Sequence, residues 1–404
     1  MCPWYRAIPV LSVTRVVAKC PPDDASGAVM ERSSVTELLQ TLVRMDTRDP
    51  PGREIDIARI VYDRLRKAGL ESVLDEFTPG RANVVARLGG RGERPALVFS
   101  AHFDTVPLGR EEWTHDPFGA AIIDGALHGR GAADMKGGMA AMIVAAESLA
   151  AGTAALAGDL VLAFTAGESS NCLGAAELSR SRALEGAGAL LVSEPTSMEV
   201  LLAEKGALWL RLTAHGSSGH PSAGEGTRGS AIERMADVLY SLRSLTFHDC
   251  SHPLLGLPTV SAGRIEGGTV VNLTPDRCEV DIDVRTLPGM VSDVVEKHIL
   301  DHVGHDLELE RLDHKPAVET ERDHPFARLC LDVVSAERGA PAEPGGASYY
   351  SDATILAPAF DLPMVIIGPG RLGMSGRTDE HVMVSDVERA VELYRRIALA
   401  WLQA

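Results

Sequence analysis

Four short stretches end apolar runs in residues that bind metals or move protons. "SAHFDTVPLG" places His102 and Asp104 two residues apart, and "GRGAADMKGG" carries Asp134 in a glycine-rich loop. "FTAGESS" supplies Glu168 and "VSEPTS" supplies Glu194. An imidazole and three further carboxylates, each at the end of an apolar run or in the loop after one, are too many charges to bury unpaired. A divalent cation is the usual solution. Histidine with carboxylates suits zinc, or less selectively cobalt or manganese. Each residue alone has a plainer reading. A lone histidine at a strand end is more often structural than a ligand, and Glu194 before Pro195 reads as a loop carboxylate. Their joint order and context point to metal-assisted chemistry.

The elements that must position them follow from the apolar pattern. "PALVFSAHFDTV", "LVLAFTAGE" and "GALLVSEPT" read as short buried strands, with "MKGGMAAMIVAAESLAA" as a buried helix among them. Strand, helix, strand implies an α/β fold: a mixed, largely parallel sheet covered by helices on both faces. The chemistry then belongs at the C-terminal ends of the strands. The pattern changes near Lys205. "ALWLRLTAHGSS" alternates like a half-exposed strand. The helix "GSAIERMADVLYSLRSL", two further strands, the helix "VSDVVEKHILDHV" and the strand "LELERL" follow. That βαββαβ order makes a small α+β, ferredoxin-like layer over residues 207–317. It is inserted into a discontinuous larger domain of residues 31–206 and 318–404, where "HPFARLCLDVVSAE", "SDATILA", "MVIIGPG" and a last helix resume the α/β pattern.

Residues 1–30 are expected to be a disordered extension, or to precede the true start at Met30. Their apolar middle is broken by basic residues, and no A-x-A site follows. Met30 opens a first helix, with Ser33 or Ser34 as N-cap and Glu37 at capping-box distance from Ser34.

Composition narrows the partners. The 404 residues are 45% hydrophobic and 24% charged, as in globular proteins, and suggest two domains. A net charge of −17 argues against nucleic acid or an anionic membrane as partner. No apolar run approaches the roughly 20 residues of a membrane span. Six scattered cysteines without CxxC spacing read as free thiols of a reducing compartment, hence the cytoplasm.

The motifs now carry a resemblance. "HFDTVP", "GRGAADMKGG", "TAGES…LGA", "SEPT", "GSSGHPSAG", "VNLTPD…VDIDVRTLPG", "SDA" and "GPG…TDEHV" run in order from about residue 34 to the C-terminus. Together they resemble the M20 metallopeptidase family, in its group of acetylornithine deacetylase, succinyl-diaminopimelate desuccinylase and carboxypeptidase G2. The resemblance implies a zinc-peptidase-like catalytic domain with a lid that also dimerises. It implies His102 and Glu194 as ligands of one metal and Asp134 as a bridge to a second. Asp104 would orient His102. Glu168 would be the general base that deprotonates water. His220 would reach the partner subunit's site in a homodimer and stabilise an oxyanion. Asn272 and Arg285 would grip a substrate carboxylate, although Arg285 reads equally well as a strand salt bridge. The substrate would be a small N-acyl amino acid or a peptide-like amide.

Two positions depart from the family. Ser169 stands where a second acid is usual, and Gly376, four residues before Glu380, where a histidine is usual. Both belong to the same metal. Loss of one metal explains this better than random decay, and one zinc per chain is expected. His102, Asp134 and Glu194 would leave one tetrahedral position for water. Arg377, His381 and Cys172 are the candidates to fill the second site. The alternative is a family member that performs acyl transfer or cyclisation, or only binds an amino-acid-like ligand, since losing a water-activating metal would suit either.

Overall fold

The computed structural model describes residues 35–152, 155–220, 222, 229–247 and 250–403. The extension over residues 1–30 and the cap at Ser33 or Ser34 lie outside the described residues. The first described helix is Val35–Val43, which buries Leu38, Leu39 and Leu42.

A nine-stranded mixed sheet forms the centre. Its path runs Glu71–Thr78, Arg81–Leu88, Gly158–Thr165, Arg94–His102, Ala187–Val192, Met364–Ile366, Leu201–Glu204, Val318–Glu319, with Gly345–Ala347 also pairing Leu201–Glu204. The four middle strands, Gly158–Thr165 to Met364–Ile366, are parallel, and the flanks are antiparallel except for Gly345–Ala347, which runs parallel to Leu201–Glu204. Residues 96–102 of the strand Arg94–His102 are all buried. Such a run without alternation belongs to a strand covered on both faces.

Helices Gly137–Ala150 and Val384–Gln403 pack on each other and on Arg94–His102. Helices Leu173–Ser181 and Ala353–Phe360 form a second pair against Gly158–Thr165 and Ala187–Val192. Gly137–Ala150 buries ten of its fourteen residues and is built from small residues and methionines. Gly138 is needed there: a Cβ would lie 2.5 Å from the Ser193 hydroxyl, so only glycine lets the helix start against the strand end that precedes Glu194.

Residues 206–315 fold a second, four-stranded antiparallel sheet in the order Thr259–Gly267, Arg277–Thr286, Gly206–His215, Glu308–Lys315. Helices Ala231–Leu242 and Ser292–Val303 complete the expected βαββαβ order. Strand Arg277–Thr286 alternates strictly and buries Cys278, Val280, Ile282 and Val284. These meet Leu208, Leu210 and Leu212 and the helix residues Met235, Val238, Val295 and Ile299 in a hydrophobic cluster of their own. A third sheet pairs Ala121–Ile123, Ala126–His128 and His381–Met383. No described helix is long and apolar enough to cross a membrane.

Candidate active site

Strand register assembles the site. His102 ends its strand opposite Thr165, and Ser100 faces Val192, so three parallel strands stop together. The loops leaving them carry Asp104, Glu168 and Glu194. Asp134 follows Gly131, which turns the chain at φ 83° just before helix Gly137–Ala150.

Ligand atoms of His102, Asp134 and Glu194 all lie within 4.8 Å of one another, the one such group among the described residues. His102 Nε2 is 3.2 Å from Asp134 Oδ1 and 3.6 Å from Glu194 Oε1. Asp134 Oδ1 is buried without a hydrogen-bond partner. The charges strain against one another. Burial pushes the Glu194 carboxyl well up, and Asp134 adds repulsion that His102 opposes. Asp134 pays the same burial but is held low by His102 and Ser375. The His102 imidazole, despite burial, is raised by Asp134, Asp104 and Glu194. A divalent cation would relieve all three groups at once, and the orphaned oxygen and the donor types fit one.

Glu168 faces the same cavity, of about 300 Å³, lined also by Thr105, Arg130, Ser169, Arg285, Tyr349, Tyr350, Ser375, Gly376 and Glu380. Burial raises the Glu168 carboxyl, and Asp352, Asp104 and Asp134 raise it further, against His102.

Asp104 meets His102 through its main chain as well as its charge. His102 Nδ1 lies 2.9 Å from the Asp104 main-chain oxygen, and the carboxylate is 3.8 Å away. The carboxylate also accepts the main-chain N–H groups of Glu168 and Ser169, both at 2.9 Å. The carbonyl thus orients the imidazole, while the carboxylate holds the loop that carries the base.

Around the expected second metal position, the outer oxygen of Asp134, Oδ2, accepts the Ser375 hydroxyl. Gly376 has φ 70°, and its carbonyl accepts Arg130 Nη2 at 3.2 Å. Arg130 is buried, and its Nη1 donates to Glu380 Oε2 at 2.6 Å. Glu380 Oε1 accepts the N–H groups of Ala133 and Asp134, each at 3.0 Å. None of the three suggested replacements lines the cavity. Arg377 is exposed and donates to Gly373 O. His381 sits in the third sheet, its ring 5.0 Å from that of His128. Cys172 is buried beside Ser351.

Of the expected substrate groups, Arg285 does line the cavity. Its guanidinium lies 5.3 Å from the Tyr350 ring and donates to Asp283, the strand salt bridge of the second reading. His220 is exposed, with Nδ1 2.7 Å from the Ser222 hydroxyl, and Asn272 is exposed as well; neither lines this chain's cavity. Sequence reasoning passed over Arg130, Ser375, Tyr349 and Tyr350. The first stands inside a motif already singled out, and the tyrosine pair directly precedes "SDA".

A mixed sheet whose parallel strands deliver histidine and carboxylates to one cavity defines a metal-dependent hydrolase. The comparisons with known proteins agree. Residues 98–400 match the model of Peptidase family M20/M25/M40, and the chain belongs to that family, whose members hydrolyse amide bonds. It is 27% identical over 411 residues to a probable succinyl-diaminopimelate desuccinylase of Staphylococcus epidermidis, covering 93% of this chain and 99% of the relative. It is 28% identical over 370 residues to an acetylornithine deacetylase of Vibrio cholerae, covering 87% and 92%. The fold is shared with an M20 family metallo-carboxypeptidase from Sulfolobus solfataricus, at TM-score 0.77 and 16% identity over 92% of this chain and all of that one. It is also shared with a dinuclear metal-binding M20 peptidase of Bacillus subtilis, at TM-score 0.71 and 18% identity over 91% and 98%.

Proposed function

We propose that this chain is a cytoplasmic amidohydrolase that cleaves an N-acyl amino acid or a similar peptide-like amide, using a single divalent ion. Zinc suits the donors best, with cobalt or manganese as substitutes. The observation that carries the reading is the placement of His102, Asp134 and Glu194 within ligand distance of one another, with Glu168 in the same cavity. Four free cysteines among the described residues support a reducing compartment. The names of the relatives favour hydrolysis over acyl transfer or mere binding.

The ion, held by His102, Asp134 and Glu194, would supply positive charge to acidify water and polarise the amide carbonyl. The rest falls to the chain's own residues. Glu168 accepts a proton from the attacking water as its oxygen adds to the carbonyl carbon. When the carbon–nitrogen bond breaks, Glu168 returns that proton to the leaving nitrogen. Arg285 supplies a fork for the carboxylate of the amino-acid half. Residues 31–206 with 318–404 would act as the catalytic domain and 207–317 as the lid.

The test is turnover of N-acetyl and N-succinyl amino acids by zinc-loaded protein and by Glu168→Gln. The variant keeps size and loses basicity, so kcat is expected to fall by about 10²-fold or more. Near-normal turnover would remove Glu168 from the mechanism.

A further inference from the structure

We propose that Tyr349 is a catalytic residue: its hydroxyl donates a hydrogen bond to the carbonyl oxygen of the bound amide as that oxygen gains negative charge. The inference rests on the hydrolytic reading above.

Three observations carry it. Tyr349 lines the cavity that holds His102, Asp134, Glu168 and Glu194. Its hydroxyl oxygen is buried yet has no hydrogen-bond partner. Leaving a buried donor unmet costs stability, which a fold tolerates where a ligand will meet it. As a phenol, its hydroxyl is protonated at neutral pH and offers an O–H that the surrounding carboxylates cannot.

The chemistry needs such a donor. Negative charge developing on an amide oxygen beside Asp134 and Glu194 must be met by something. Several of the nearby donors are already engaged. Ser375 gives its proton to Asp134. Both terminal nitrogens of Arg130 are spent on Glu380 and on the carbonyls of Pro107, Gly376 and Arg377. Arg285 is given to Asp283 and, in the mechanism above, to the substrate's carboxylate rather than to the amide oxygen. His220 is outside this chain's cavity. Of the cavity's other hydroxyls, on Thr105, Ser169, Tyr349 and Tyr350, those of Tyr349 and Thr105 are both buried and unpartnered. Both share the cavity with Glu194 and Asp134, and the phenol of Tyr349, far more acidic than an aliphatic hydroxyl, is the stronger donor. With Ser169 and Gly376 supplying no ligands for a second ion, a neutral phenol does electrostatic work that a second cation would otherwise share.

The experiment compares zinc-loaded wild type, Tyr349→Phe and Thr105→Val. Tyr349→Phe is expected to lower kcat by about 10²- to 10³-fold, as loss of one oxyanion donor does, with KM within about threefold, since a donor engaged only in the transition state leaves ground-state binding alone. Zinc content should not change. The melting temperature should stay level or rise, because an unmet buried hydroxyl has been removed. A purely structural tyrosine would lose stability together with activity.

A second arm needs no turnover: calorimetric titration with methylphosphonate, a tetrahedral anion. Tyr349→Phe is expected to bind it at least tenfold more weakly than wild type. Equal affinity, no binding to wild type, or a loss of turnover confined to Thr105→Val would overturn the assignment. If wild type hydrolyses no acyl amino acid while the methylphosphonate difference persists, the hydrolytic reading falls and the donor role of Tyr349 stands.

Discussion

Gly376 shows how one residue can decide the metal count. Its φ of 70° suits glycine, and a Cβ there would lie 3.4 Å from Val106 Cγ2. A histidine would have room to begin but would hold a strained backbone. Gly376→His is therefore expected to cost about 1–3 kcal/mol, the usual range for a non-glycine residue held in the left-handed region. A denaturant melt with an unchanged midpoint would show that the loop adapts without strain. Restoring ligands with Ser169→Glu and Gly376→His together meets a second obstacle, because Ser375 already occupies Asp134 Oδ2. Zinc titration of the wild type should end at one equivalent, and a second tight equivalent would mean that other groups replace the missing ligands. The cluster of His102, Asp134 and Glu194, with Glu168 in the same cavity, was legible from the joint order of its motifs rather than from any one residue. The main-chain contact of Asp104 with His102 was not. Residue type does not say whether a side chain or its own carbonyl will meet the imidazole. Tyr349 and Arg130 were hidden for a similar reason: their importance lies in which polar atoms are left over after folding.

At the scale of elements, Glu54 sits between the start of one helix and the strand that carries Arg81. It immediately precedes helix Ile55–Lys67 and is fully buried, with neither carboxylate oxygen hydrogen-bonded. Arg81, on the strand Arg81–Leu88, is 3.5 Å away but gives its hydrogen bonds to Asp49, at 2.7 and 2.9 Å. Burial, with repulsion from Asp104, raises the Glu54 carboxyl from 4.5 to about 7. The folded protein thus holds a proton there that the unfolded chain releases near its ordinary pKa. Between those values the folded state binds more protons, so stability falls as pH rises from about 4.5 to about 7 and levels off above. A shift of this size corresponds to a loss on the order of 3 kcal/mol. Glu54→Gln removes that loss. Its melting temperature relative to wild type should climb between pH 5 and pH 8, and a constant difference would show that Glu54 is ionised throughout. The main strands and helices here were legible from uninterrupted apolar runs and helical periodicity. The three-residue strands Ala121–Ile123, Ala126–His128 and His381–Met383 were not. They are too short to show a period, and their pairing is set by contacts distant in sequence.

For the whole molecule, the open question is what completes the cavity. Strand Thr259–Gly267 is an edge of the four-stranded sheet and is exposed along nearly its whole length. Ile265 on it, Ile232 and Tyr240 on helix Ala231–Leu242, and the nearby Val270 and Val271 are exposed apolar side chains. An unpaired edge beside apolar surface favours pairing with a second copy. A homodimer of about 86 kDa, twice the 43.0 kDa chain, is therefore expected by sedimentation. Its functional meaning turns on His220, which lies outside its own chain's cavity. If His220 serves the partner's site, two dead variants should rescue each other. In a mixed dimer of His220→Ala with Glu168→Gln, one site draws Glu168 from the first chain and His220 from the second, and is whole. The other site carries both defects. With free exchange at equal amounts, half the dimers are mixed and half of their sites are whole, so about one quarter of wild-type activity should return in a twofold-symmetric assembly. Mixtures that exchange subunits and stay inactive would show that His220 does not act across the interface. Rescue would place the four-stranded sheet in catalysis itself, because the distance from His220 to the reacting amide would then be set by how two such sheets meet.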